Sequence, residues 1–187
     1  VSVKMRSEQA LSGAGWRLLY DQQALSGNVN PNIDGEAEKT SAELLHVLGS
    51  MQNQLVSPAE FSLDIKCQRI ARRDGHLVSV TLKTQHSIEL PEIIQQFQTL
   101  EISHEVPSKP KQAIHLVDKI NPTNHLWSDG ENFTSNPKPS DDLKTGMAVV
   151  VGGLSVEGDT VSFNAYSHNT IRGAAGGLVY LAEFLLT

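Results

Sequence analysis

The sequence predicts an α/β (α+β) domain, and three observations carry that reading. Residues 61–84 and 147–166 each alternate apolar and polar positions on either side of a turn, as paired strands with one buried face do. Residues 34–48, 91–100 and 170–186 instead repeat their apolar positions at helical spacing. The two kinds of segment interleave along 187 residues without an internal repeat. That length, with 39% hydrophobic and 19% charged residues, suits one globular domain with a sizeable core.

In chain order, Val1–Met5 reads as a short strand and Ser12–Gly15 as a Gly-containing loop. Residues 21–35, rich in Gly, Asn and Pro, read as irregular. Asp34 is placed to cap a helix whose first turn carries Glu36 and Glu38, which suits the helix dipole, and whose stripe is Leu44, Leu45 and Leu48. Leu63, Ile65 and Cys67 then alternate with polar neighbours, as do Val78, Val80 and Leu82, so the segment between them reads as a hairpin. Pro91 stands at a first helical position ahead of Ile93, Ile94, Phe97 and Leu100. Residues 103–146 hold most of the prolines and read as a long loop with at most one short strand, Ala113–Val117. A second hairpin turns at Glu157-Gly-Asp159, and a helix closes the chain from about Thr170 to Leu186. Its stripe is Ile171, Ala174, Ala175, Leu178, Leu181, Ala182 and Leu185.

Charge and composition narrow the function. A net charge of −6 argues against a nucleic-acid or anionic-membrane surface. No apolar run approaches the ~20 residues of a membrane helix and no signal peptide is read. The one cysteine excludes an internal disulfide and fits a reducing cytoplasm. The chain opens on Val1, as a fragment would. The histidines show no metal-ligand spacing with Cys or acids, so no metal is expected. No Gly-rich phosphate loop joins a strand to a helix, so a dinucleotide fold is missing.

Polar constellations therefore have to carry any chemistry. In the 61–84 hairpin, Arg69 and His76 share a face. If Arg72-Arg73 is the loop they pair directly; if Asp74-Gly75 is, they stand about four residues, roughly 13 Å, apart. The plainer alternative is a loop-tip Arg and His in solvent. Glu36 and Lys39 are i,i+3 neighbours able to hold an ammonium and an anion, or simply a surface ion pair. Gln9 precedes the Ser-Gly-Ala-Gly loop, where backbone can approach closely. His168-Asn169, ahead of the last helix, could equally be a plain cap. Cys67, on the apolar face of its strand, is expected to be an inert buried thiol.

Five stretches together resemble one family: Gln-Ala-Leu-Ser-Gly-Ala-Gly (9–15), Asn-Ile-Asp-Gly-Glu-Ala-Glu-Lys (32–39), Arg69 with His76, Gly-Met-Ala-Val-Val-Val-Gly (146–152) and Ser-His-Asn-Thr-Ile-Arg-Gly-Ala-Ala-Gly-Gly (167–177). Their order is that of aspartate-semialdehyde dehydrogenases, most like the archaeal and fungal branch, and they cover the C-terminal half of such an enzyme. The resemblance implies a mixed, mostly antiparallel sheet with helices on one face, similar to the C-terminal domain of glyceraldehyde-3-phosphate dehydrogenase. It implies that residues 1–170 form a catalytic and dimerisation domain and that helix 171–187 returns to an N-terminal NADP-binding domain.

The family reduces aspartyl 4-phosphate, an amino-acid acyl phosphate, with NADPH through a cysteine thioester, the cysteine belonging to the cofactor domain. Carried onto this sequence, the resemblance makes His76 the general acid/base and Arg69 the fork for the substrate α-carboxylate. Glu36 takes the α-ammonium, Lys39 the phosphate, Gln9 orients the acyl group and Asn169 approaches the nicotinamide. It further implies a homodimer. The isolated chain, lacking the thiol and the cofactor domain, is expected to be inactive. A stand-alone dimerising module and a related acyl-phosphate or acyl-CoA reductase are the competing readings; Glu36 favours an amino-acid substrate over a malonyl-type one.

Overall fold

The computed structural model describes residues 1–102 and 104–187. Among the described residues eight strands and five α-helices follow in order: β1 (Ser2–Gln9), α1 (Trp16–Leu19), α2 (Gln22–Leu25), α3 (Glu36–Val47), β2 (Ser50–Gln52), β3 (Leu55–Ser57), β4 (Ser62–Arg69), β5 (His76–Lys83), α4 (Leu90–Gln98), β6 (Ile114–Val117), β7 (Val149–Glu157), β8 (Thr160–Ser167) and α5 (Gly176–Leu186). A single 3-10 turn, Leu11–Ala14, follows β1, and a π-turn, Ile171–Ala175, precedes α5. No helix among the described residues is long and apolar enough to cross a membrane.

Six strands form one mixed, mostly antiparallel sheet in the order β4-β1-β5-β8-β7-β6; β2 and β3 make a separate two-stranded ribbon. The β7–β8 hairpin expected around residues 157–159 is present, turning where Gly158 takes φ 61°. The expected 61–84 hairpin is not. β1 lies between β4 and β5, parallel to the first and antiparallel to the second. Alternation reports which side chains are buried, not which strand lies alongside, and the pattern of β1 fits between its neighbours without a change of face.

One face of the sheet carries Val3, Met5, Ser7, Ile65, Cys67, Val78, Val80 and Phe163, in register across β4, β1, β5 and β8. Helices α3 and α4 cover that face. Thr40 of α3 touches the Cys67 sulfur and Phe97 of α4 meets Phe163 edge-on at 5.5 Å. Helix α4 starts as expected, with Pro91 in its first turn and a reciprocal Glu89–Glu92 capping box. Helix α3 does not start on Asp34. Gly35, at φ 71°, is its N-cap, and the Asp34 carboxylate accepts the Asn32 amide instead. Across β4, β1 and the middle of β5 the opposite sheet face is polar, with Lys4, Arg6, Asp64, Lys66 and Ser79. Arg6 bonds Asp64 there at 2.7 Å.

The last helix begins differently from the continuous α-helix expected, since its first turn is π-wound. It fastens through Glu183, which accepts hydrogen bonds from the Ser108 amide (3.0 Å) and hydroxyl (2.5 Å), and through Phe184 against the His104 ring. Leu178, Leu181, Leu185 and Leu186 are left in water at 68, 49, 72 and 88% exposure, an exposed apolar stripe along the helix.

Candidate active site

Three adjacent strands end at the same edge, and this edge is where the predicted residues meet. Gln9, last in β1, faces Arg69, last in β4, across the parallel ladder. His76 opens β5 on the other side, one position beyond the Glu8–Leu77 pair. Arg69 and His76 are therefore two strands apart, about 10 Å between backbones, neither paired directly nor separated along one hairpin. Their side chains close that gap. Arg69 Nη1 and His76 Nε2 lie 2.9 and 3.0 Å from the point a Cβ on Gly13 would occupy, hence within about 6 Å of each other. Neither is a loop-tip side chain: Arg69 is 8% exposed and His76 half-buried.

The 3-10 turn after β1 forms the floor. Arg69 Nη1 donates to the Ala10 carbonyl at 2.7 Å, and the Ala10 amide donates to His76 Nδ1 at 3.2 Å. That bond leaves the neutral imidazole with its proton on Nε2, the nitrogen facing Gly13 and solvent. Gly13 is exposed and passes between the two side chains because it lacks a Cβ. Burial and the Arg69 and Arg72 charges push His76 down to about 4. The ring is thus uncharged at neutral pH, a base or a neutral donor, not the half-protonated group that its ordinary value suggests.

Helix α3 brings the carboxylate. Glu36, in its first turn, accepts from Gln9 Nε2 at 2.9 Å and stands 3.9 Å from Lys39, which is also 3.9 Å from Glu43. Glu36 therefore belongs to the site's hydrogen-bond network, whereas Lys39 is an exposed ammonium shared between two acids at its rim. A cleft of about 310 Å³ opens beside Arg69, lined by Ala14, Leu18, Asn28, Asn30 and Ile33.

Asn169 completes the ring, and it is no helix cap. Its Oδ1 accepts the Gly75 amide at 2.8 Å and its Nδ2 donates to Ser12 Oγ at 2.9 Å, so one carboxamide joins the ends of β1, β5 and β8. Ser12, Gly13 and Gly75 escaped sequence reasoning as site residues. The Ser-Gly-Ala-Gly and Asp-Gly signals marked loops, but nothing local told which side chains those loops would meet. Cys67 shares the face of Arg69 but lies one step further down β4, against Thr40 of α3, where burial pushes its thiol up. Among the described residues no three His, Cys, Asp or Glu side chains gather as a metal site.

A two-layer α/β domain with a polar, small-molecule-sized site at one sheet edge defines a class of catalytic or ligand-binding domain, and comparison with known proteins specifies which. Residues 1–172 match the model of the semialdehyde dehydrogenase dimerisation domain. The chain belongs to that family. It is 29% identical to the aspartate-semialdehyde dehydrogenase of Methanothermobacter thermautotrophicus over 98% of this chain and 51% of that protein. It is 31% identical to the malonyl-CoA reductase (NADP) of Metallosphaera sedula over 98% and 50%. Among solved structures, it superimposes on the Candida albicans aspartate-semialdehyde dehydrogenase with NADP at a TM-score of 0.69 and 25% identity, covering 98% of this chain and 50% of that one. The chain thus spans about half the length of the relatives it matches.

Proposed function

We propose that this chain is the substrate-binding and dimerisation part of an NADP-dependent aspartate-semialdehyde dehydrogenase acting in cytoplasmic amino-acid biosynthesis on aspartyl 4-phosphate. The observation that carries the reading is the meeting of Gln9, Glu36, Arg69 and His76 at one end of the sheet, four side chains from three strands and a helix, with Arg69 and His76 flanking Gly13. Arg69 offers a planar fork for an α-carboxylate. Glu36 offers a carboxylate to the α-ammonium, which a malonyl-type substrate does not possess. Lys39, exposed at the rim, meets the phosphate, and Gln9, held by Glu36, orients the acyl group. His76 presents Nε2 to the reacting centre and moves the proton there.

NADP fits this chain only at its edge, since no phosphate-binding loop is present and the Asn169 carboxamide is already engaged by Gly75 and Ser12. Bound mainly by a separate domain, the cofactor supplies the hydride. The nucleophilic thiol belongs there too, because Cys67 is packed against Thr40. Residues 1–170 form the catalytic and dimerisation unit, and helix 171–187, with its bare leucines, returns to the cofactor domain. The chain alone is inactive and pairs with a second copy.

The test is NADPH-dependent turnover by the whole protein containing this chain, with aspartyl 4-phosphate and malonyl-CoA compared. Turnover of the former that falls at least about a hundredfold in R69A and H76Q supports the proposal. Preference for malonyl-CoA, or activity indifferent to both substitutions, overturns it.

A further inference from the structure

On the sheet face opposite His76 lies a cluster that the proposed chemistry does not use. Tyr166, 1% exposed, pairs with Leu77 and so points away from the His76 ring. Its hydroxyl donates to the Pro122 carbonyl at 3.0 Å, with the Asp74 carbonyl 3.4 Å away. Its ring fills the place of a Cβ on Gly75, whose φ is +87°. The Arg72 guanidinium lies 5.4 Å above that ring. Arg72 donates from Nε to the Gly75 carbonyl (3.0 Å), from Nη1 to Glu8 Oε2 (3.3 Å) and from Nη2 to the Glu8 carbonyl (3.3 Å).

These bonds grip one short piece of backbone. The Arg72 and Arg73 carbonyls accept from the Leu11 and Ser12 amides at 2.8 and 3.1 Å. The Gly75 amide is taken by Asn169 and its carbonyl by Arg72. Gly75 immediately precedes His76, so its peptide orientation sets where the imidazole starts, and the 10–13 turn pinned to the same segment supplies the donor on Nδ1. We propose that Arg72 and Tyr166 are positioning residues for His76, holding the 72–75 turn from behind the sheet so that the ring keeps its bond to the Ala10 amide and presents Nε2 to the site.

Arginine is required for geometry beyond charge, since only a fork spans the Gly75 carbonyl and both Glu8 acceptors. Tyrosine is required for its hydroxyl, since a phenylalanine would pack against Gly75 yet release Pro122. The charged groups facing His76 are Arg69 and Arg72, which oppose its protonation, and Glu36, which favours it.

The experiment follows the His76 ring nitrogens and the Gly75 amide by NMR in the chain and its R72M, R72K and Y166F variants, with thermal melting as a fold control. The expected result for R72M is a His76 midpoint raised above its value of about 4, with the Gly75 resonance displaced. R72K keeps the charge and restores much of the midpoint, yet leaves Gly75 displaced; Y166F displaces Gly75 with the charge untouched. Folded variants in which neither signal moves overturn the proposal, and if R72M fails to fold, R72K and Y166F decide. The catalytic consequence rests on the role proposed for His76. In the whole protein R72K then lowers kcat about tenfold with KM within about twofold. Should H76Q leave turnover intact, the proposed function fails while the NMR result still decides positioning.

Discussion

Glu183 holds Ser108 by both its amide and its hydroxyl, so a carboxylate of the last helix satisfies two donors of a buried residue 75 positions earlier. Removing it with E183A leaves those donors unpaired, at a cost of about 1–3 kcal/mol. A urea midpoint unchanged within error would show that the helix is held by other means. E183Q, which keeps an acceptor, should fall between.

Gly13 and Gly75 separate stability from function. The atoms nearest a Cβ on Gly13 are the ends of Arg69 and His76, so G13A should melt within a few degrees of the parent yet weaken binding of L-aspartate, a probe of the carboxylate and ammonium subsites, at least about tenfold. Isothermal titration with unchanged affinity would place the ligand elsewhere. A Cβ on Gly75 falls 2.2 Å from the Tyr166 hydroxyl at a φ of +87°. G75A should cost about 3 kcal/mol or fail to fold, read by the same denaturant series.

Acid should unfold the chain earlier than carboxylates alone would. Burial pushes His76 down to about 4, and His115, His125 and His168 down as well. The unfolded chain therefore binds more protons than the folded one between about pH 6.5 and 4. Stability is complete above that window and is lost as the pH falls through it. Urea midpoints at pH 7.5, 6 and 5 should decline in order, and a flat series would contradict the burial of these rings.

Light scattering should return the mass of a dimer at tens of micromolar protein, formed through the polar sheet face with Lys4, Arg6, Asp64 and Lys66. An interface of that character weakens with salt. A monomer in low salt would remove the proposed assembly, and a dimer insensitive to ionic strength would move it to the bare leucines of α5.

Locally determined features were legible. The β7–β8 hairpin turns within three residues, and α4 announces itself through Pro91, because every interaction involved lies within one turn of chain; the Glu89–Glu92 capping box went unread. Helix α3 was legible as a helix but not at its start, since Asp34 found a nearer partner in Asn32. The site was less so. From spacing, Arg69 and His76 stood either paired or some 13 Å apart, and the motif order, not periodicity, grouped them with Gln9 and Glu36. What escaped is the identity of strand neighbours. The two-residue period of β4 and β5 is the same whether they pair with each other or admit a third strand.

That third strand imposes an order of events on folding. Because β1 sits between β4 and β5, the chain cannot complete this edge until its N-terminal segment docks beside strands some 60 residues downstream. A local hairpin of β4 with β5 would close sooner and would be a trap, since it must come apart to admit β1. Refolding should accordingly show a slow phase in which the β7–β8 hairpin is already protected from hydrogen exchange while Gln9 is not, and ligand affinity should return only with that phase.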